Sequence, residues 1–313
     1  MSKGQTRAIV DKLLTQVSNA YIPEGYVSES VLPNIPVVQT TGKLGQYGQA
    51  HLRITNTVMG GKGKARRVDT IIREDVNYHV ENHGLESEVS PDDYRNVEDP
   101  FDAEQDEVVG LTTMLWLGKE KSLADTMGNT AVMTQNKTLA GGAQLDKYST
   151  SNPLAEFRDA HKAVKDGSGV PPNAAVMSWE VFNSLKYHPG ILEALGYKDN
   201  RAGLLTKDDI ARAMDVRQLF IGEPSFNSAK DGQSSSLGSV WGKNIIFYVR
   251  PQSVGKYQVS LGYYLTYRSE PARKVHKFPV NNPPGSTGLI VTDHYDMLIG
   301  NAGAGYLIKD AIA

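Results

Sequence analysis

The sequence predicts an α+β protein in which a compact α/β region is flanked on both sides by mostly extended text. Three observations carry this. A helix signal of unusual length runs from about Pro100 to Met127, helix and strand signals alternate between Asn152 and Tyr267, and the segments before and after are dominated by strand and turn patterns.

The first twenty residues place Ile9, Val10, Leu13, Leu14 and Val17 at three- and four-residue spacings, which predicts an amphipathic helix. Pro23, Pro33 and Pro36 then oppose further helix, so SVLPNIPVVQTTGKLGQYG reads as an extended arm resting on its own surface or on a neighbour's. From Gly42 to about Tyr78 polar and apolar residues alternate around the glycine-rich centre GGKGK, as in a long hairpin. Its strands hold few large apolar side chains. Because a two-stranded ribbon is marginal alone in water, this hairpin is expected to lie against something else.

For the long helix, Asp99 is the expected cap and Pro100 the first helical position, with Asp102, Glu104, Asp106 and Glu107 at the end where the helix dipole favours negative charge. Val108, Leu111 and Leu115 share a face, Lys119 and Lys121 lie toward the far end, and Gly128 terminates the run. About 40 Å of helix results, which suggests a spine.

In the compact region, NPLAEFRDAHKAV starts a helix with Asn152 as cap, Pro153 behind it, and Leu154, Phe157, His161 and Val164 on one face. NAAVMS is a short buried strand, WEVFNSLKYHPGILEAL is helical up to Pro189 with a second turn beyond, and TKDDIARAM is a helix capped by Thr206. RQLFIG, NIIFYV and VSLGYYLTY follow as strands, giving a small mixed sheet with helices packed on it. From Val275 to the end the text is strand and turn, expected to return beside the hairpin and the spine.

The chain has 313 residues, enough to bury a sizeable core, and no cysteine, which removes disulfides, thiolate metal sites and cysteine nucleophiles. Charges interrupt the apolar positions of MSKGQTRAIVDKLL, unlike a secretory signal, and no run approaches the roughly 20 apolar residues of a membrane span. The reading is a soluble protein of a cytoplasm. A net charge of -2 argues against a protein whose main task is coating nucleic acid.

The candidate chemical motifs fail on spacing. TVMGGKGKARRVD lacks the Ser or Thr after Lys64 that a phosphate-cradling loop needs, and strand rather than helix follows it. It reads as a basic hairpin tip carrying Lys62, Lys64, Arg66 and Arg67. HVENH sets His79 and His83 four apart, but Glu81 is misplaced for a metalloprotease and the neighbourhood reads as strand into turn. TDHYD puts His294 and Asp296 on one strand face with no partner cluster visible, and GNAGAG, Gly300 to Gly305, is a turn without a βαβ unit. No catalytic, cofactor-binding or metal site is expected.

The order of arm, hairpin, spine, compact domain and returning strands resembles the major capsid proteins of tailed bacteriophages, with the Hong Kong 97-type fold. FDAEQDEVVGLTTMLWLGKEKSLADTM is similar to that family's spine helix. The text from NPLAEFRDAHKAVKDGSGVPPNAAVMSWEVFNSLKYHPGILEAL through LTKDDIARAMDVRQLFIGEPSFNSA to Val240-Trp241-Gly242 is similar to its following segment, and SVLPNIPVV with GKLGQYG to its passage from arm to hairpin. The resemblance covers nearly the whole chain. It implies an N-terminal arm over 1–41, an E-loop hairpin over 42–78, a peripheral domain over 79–151 with the spine at about 100–127, an axial domain over 152–267, and a return to the peripheral domain over 268–313.

It also implies a structural protein, not an enzyme, that forms pentamers and hexamers of an icosahedral shell around double-stranded DNA without sequence-specific contact. Portal, decoration and separate scaffolding proteins are the implied partners, with assembly in the bacterial host cytoplasm and residence in the virion; no membrane is involved. The E-loop tip, with Lys62, Lys64, Arg66 and Arg67, is then expected to contact a neighbouring subunit, and Glu98, Asp99, Asp102, Glu104, Asp106 and Glu107 are its possible acidic counterpart. Some shells of this fold are cross-linked through lysine and asparagine; no carboxylate is placed between such a pair here, so no cross-link is predicted. An encapsulin-like nanocompartment shell shares the fold and is the first alternative, and a nucleotide- or metal-dependent enzyme using Lys64 or His294 is a remote second.

Overall fold

The computed structural model describes residues 8–46, 52, 54, 57, 58, 67, 74–96, 102–197, 205–230, 232–253, 258–268, 273–281 and 284–313. Two sheets share one long helix.

The first sheet is built on the 16-residue strand β14 (Pro284–Ile299). On one side β14 pairs antiparallel with β13 (Arg273–Asn281), whose far edge takes the short β1 (Ile9–Val10). On the other side it pairs with β5 (Glu81–Val89) along one half and β12 (Gly262–Tyr267) along the other; β2 (Asn34–Val37) adds in parallel to β12. The stem of the expected hairpin is present as β3 (Thr41–Gln46) paired with β4 (Glu74–His79), from Thr41 opposite His79 to Gln46 opposite Glu74.

The second sheet runs β6-β15-β11-β7-β8, with β6 (Asn136–Thr138), β7 (Ala174–Ser178), β8 (Gln218–Gly222), β11 (Ile245–Tyr248) and β15 (Gly305–Lys309). Its residues alternate between two cores, as the two-residue period of a strand demands. Ala175, Met177, Ile245, Phe247 and Ile308 face a core closed by the helices α5 (Pro153–Ser168), α6 (Trp179–Leu185), α7 (Pro189–Ala194) and α8 (Lys207–Ala213). Ala174, Val176, Ile246, Tyr248 and Leu307 face the other way, onto the long helix. The caps of these helices are local and follow the sequence: Asn152 Oδ1 accepts from Ala155 N, and Thr206 and Asp209 form a reciprocal capping box. A hairpin of β9 (Ser225–Asn227) and β10 (Leu237–Ser239) follows β8 and packs Phe226 against the core on the spine side.

The long helix, α4 (Ala103–Met127), starts later than the expected Pro100: Asp102 caps it by accepting from Glu104 N and Gln105 N, and Asp99 lies outside the described residues. Its first half buries Val108 and Leu111 against Leu14 of α1 (Lys12–Ala20) and against Val89, Val275, Leu289 and Val291 of the first sheet. Its second half buries Leu123, Ala124 and Met127 against the second sheet.

Several expectations are corrected. The arm is not wholly extended, because residues between the prolines form the single-turn helix α2 (Ser28–Val31) before joining the first sheet as β2. HVENH continues into a nine-residue strand, not a turn, since Glu81–Val89 finds a full-length partner in β14. Strand β12, expected in the second sheet, pairs in the first, while Asn136–Thr138 and Gly305–Lys309 leave the first body for the second sheet. After β14 the chain crosses over, and its last strand, β15, pairs with β11 and β6. GNAGAG is a turn, closing as a short 3-10 segment, Ala302–Ala304, that leads into β15.

Candidate assembly surfaces and a charged joint

Of the expected basic tip, Arg67 is exposed, while Lys62, Lys64 and Arg66 lie outside the described residues. Two residues of the expected acidic counterpart, Glu98 and Asp99, also lie outside them. Asp102 is taken up by capping α4. Glu104 is engaged within the chain: its carboxylate accepts from Lys277 Nζ at 2.5 and 2.6 Å and from Tyr94 Oη at 2.5 Å. Asp106 is exposed and Glu107 half-buried. The sequence reading missed further carboxylates: β5, whose edge is not covered by another strand among the described residues, adds exposed Glu81, Glu86 and Glu88, and α3 (Pro91–Asn96) adds Asp92 and Asp93. Charges on an edge strand also discourage unwanted strand pairing.

The histidine motifs do not assemble into a site. His83 stacks on Tyr295 at 4.3 Å between ring centroids, and Asp296 Oδ2 accepts from His79 N at 3.1 Å. Among the described residues there is no group of three or more His, Cys, Asp or Glu arranged to hold a metal ion. No helix among them is long and apolar enough to cross a membrane.

The strongest polar arrangement is buried where α4 meets α2. Lys119 is 1% exposed, and its three ammonium hydrogens have three acceptors: Glu29 Oε1 at 2.6 Å, Asp293 Oδ2 at 2.6 Å and Tyr264 Oη at 3.0 Å. The ammonium lies 4.5 Å from the ring centroid of Tyr295 and 5.0 Å from that of Trp116, so aromatic faces complete its surroundings. Arg273 is the second cation, with Nη1 3.5 Å from Glu29 Oε1 and Nε donating to Ser18 O at 3.2 Å. Two cations thus meet two carboxylates. Burial, reinforced by the charges of Asp293 and Glu29, pushes the Tyr264 hydroxyl far above its ordinary range, so it stays protonated.

The next residue of the helix points to the other side. Glu120 accepts from Trp241 Nε1 at 2.6 Å, Ser28 N at 2.7 Å and Val27 N at 3.1 Å, so a spine carboxylate satisfies the free amides at the start of α2. Burial raises its carboxyl above the usual range, and these donors offset only part of that. The sequence reading placed Lys119 only toward the far end of the helix and missed its burial. The available signal was spacing: Lys119 and Glu120 sit three and four residues from Trp116 and Leu123, on the helix's buried stripe.

No family model matches the chain. It is 27% identical over 309 residues, 96% of each chain, to the major capsid protein of Burkholderia phage BcepMu. The crystal structure of a phage-related protein from Bordetella bronchiseptica superposes with a TM-score of 0.73 at 23% identity, covering 97% of this chain and 98% of that one. The mature capsid of bacteriophage PhiM1 gives 0.55 at 12% identity over 99% and 92%. Two sheets joined by a spine helix, with a hairpin stem beside them, make this the Hong Kong 97-type capsid fold, an α+β fold. Within it, the chain is a relative of the phage major capsid proteins.

Proposed function

We propose that the chain is the major capsid subunit of a tailed phage, self-assembling through pentamers and hexamers into an icosahedral shell around double-stranded DNA. The observation that supports this most is the likeness to a phage major capsid protein across 96% of both chains, which takes in the arm, hairpin, spine and both sheets together. The work is association: many modest contacts, repeated by symmetry, sum to a stable closed particle. The role is structural, with no catalytic step.

The E-loop tip, Lys62, Lys64, Arg66 and Arg67, docks on a neighbour's acidic face. With Asp102, Glu104, Asp92 and Asp93 engaged within the chain, Asp106 and Glu107 remain of the described counterpart, and Glu81, Glu86 and Glu88 extend it. Such complementarity sets register and orientation more than affinity. Portal, scaffolding and decoration proteins complete the particle, assembled in the host cytoplasm.

The test is to express the chain alone and with its neighbouring genes, then image the product by negative-stain electron microscopy with and without nuclease. Rings of five or six subunits or closed shells are expected, with nuclease-protected DNA in the co-expressed particles. Empty shells loaded with an enzyme would move the reading to a nanocompartment, and a small soluble oligomer under every condition would remove it.

A further inference from the structure

We infer that residues 27–32 are the joint that fixes the angle between the two sheets, and that the charge of Glu29 locks it. Resting on the shell-building reading, this makes Glu29 a determinant of shell curvature.

The segment is tied to both bodies. Toward the first sheet, Glu29 reaches Lys119 and Arg273, and Lys119 in turn holds Asp293 of β14; Pro33 O, just beyond, accepts from Tyr264 N of β12 at 3.0 Å. Toward the second sheet, Val31 O accepts from Tyr248 Oη of β11 at 2.9 Å, and Val31 and Leu32 are buried with Ile246, Tyr248 and Leu307. Glu120 spans the gap, holding the amides of Val27 and Ser28 with one carboxylate and Trp241, beside β11, with the same group.

Within this joint the charges are unequal in depth. Lys119, Asp293 and Arg273 are 1%, 2% and 4% exposed, whereas the Glu29 side chain is 32% exposed. Glu29 is therefore the member most easily withdrawn. Without it, two buried cations share one carboxylate, and an uncompensated buried charge is costly unless water enters. Water enters by loosening the segment. In a closed shell every copy must hold a defined angle between its two bodies, so a loosened joint admits a range of curvatures.

The experiment compares wild type, Glu29→Gln and, as a charge-loss control outside the joint, Glu156→Gln, which loses the pairing with Lys137. Amide hydrogen exchange is followed on unassembled subunits, and shell diameters are measured by electron microscopy. For Glu29→Gln, exchange across 27–32 and 119–127 is expected to rise roughly tenfold or more, the factor implied by losing one charge-assisted bond, with open or unevenly sized shells. Glu156→Gln should match wild type in both. Should Glu29→Gln not fold, Glu29→Asp, which keeps the charge but withdraws it by one methylene, is expected to show the same changes to a smaller extent. Unchanged exchange would overturn the joint, and faster exchange with wild-type diameters would overturn its control of curvature. Failure of the wild-type chain to form any shell would instead sink the capsid reading, leaving the exchange result to decide the joint.

Discussion

Lys119 Nζ lies 2.6 Å from Asp293 Oδ2, with the lysine side chain 1% exposed and the aspartate 2%. This pair bolts the second half of the spine to the central strand of the first sheet.

Removing the cation alone leaves two carboxylates facing a single arginine in a dry site. Lys119→Met is expected to destabilise the unassembled subunit by about 3–5 kcal/mol in urea denaturation. Lys121, two residues on, pairs with Asp125 at side-chain exposures of 34% and 62%, and Lys121→Ala should cost less than about 1 kcal/mol. Equal losses from the two variants would contradict this account of the joint.

Glu120 sets a pH dependence of definite sign. Its carboxyl is raised in the folded state, chiefly by burial, so as pH climbs through the ordinary carboxylate range the unfolded chain releases this proton first. The contribution is neutral at lower pH, where both states hold the proton. It turns against the fold as pH rises, until the folded group ionises too. Glu120→Gln removes this one titration, so the stability of wild type relative to the variant should fall with rising pH across that window. A difference that is flat or that grows with pH would rule it out.

Gly222 ends β8 against the indole of Trp241: a Cβ placed there would lie 2.0 Å from Trp241 Cδ1. Gly222→Ala should displace the ring and disturb its bond to Glu120, lowering stability by about 1–3 kcal/mol as overpacking does. Unchanged thermal unfolding would show that the indole has room to move.

Reversing charge at the hairpin tip, with Arg66→Glu and Arg67→Glu together, should leave subunit folding and far-ultraviolet circular dichroism unchanged while reducing shell yield at low ionic strength. Full assembly of this variant would remove the docking role of the tip.

Much of the element order was legible because it rests on local rules. The spine could be read from its acidic first turn and spaced Val108, Leu111 and Leu115, α5 from Asn152-Pro153, and α8 from Thr206 with Asp209. Where strands go was not legible. Gly262–Tyr267 and Gly305–Lys309 carry the same kind of apolar text, yet one pairs with β14 and the other with β11. A strand's pattern states that it will be covered, not by which partner. Residues 28–31 form a turn of helix whose first amides are accepted by a carboxylate 90-odd positions later in the chain, on Glu120, a partner no local pattern shows.

The sequence by itself therefore determined the spine, the helices of the compact region with the caps Asn152 and Thr206, the hairpin stem and the resemblance to a capsid fold, since each depends on residues within a few positions of one another or on their order. Tertiary structure alone decided the membership of the two sheets, the internal engagement of Glu104, and the burial of Lys119 and Glu120. The physical reason is that a charge is tolerated in the interior only where distant segments bring its counter-charges and donors to hydrogen-bonding distance, and Glu29, Lys119, Arg273 and Asp293 meet only once the chain has folded.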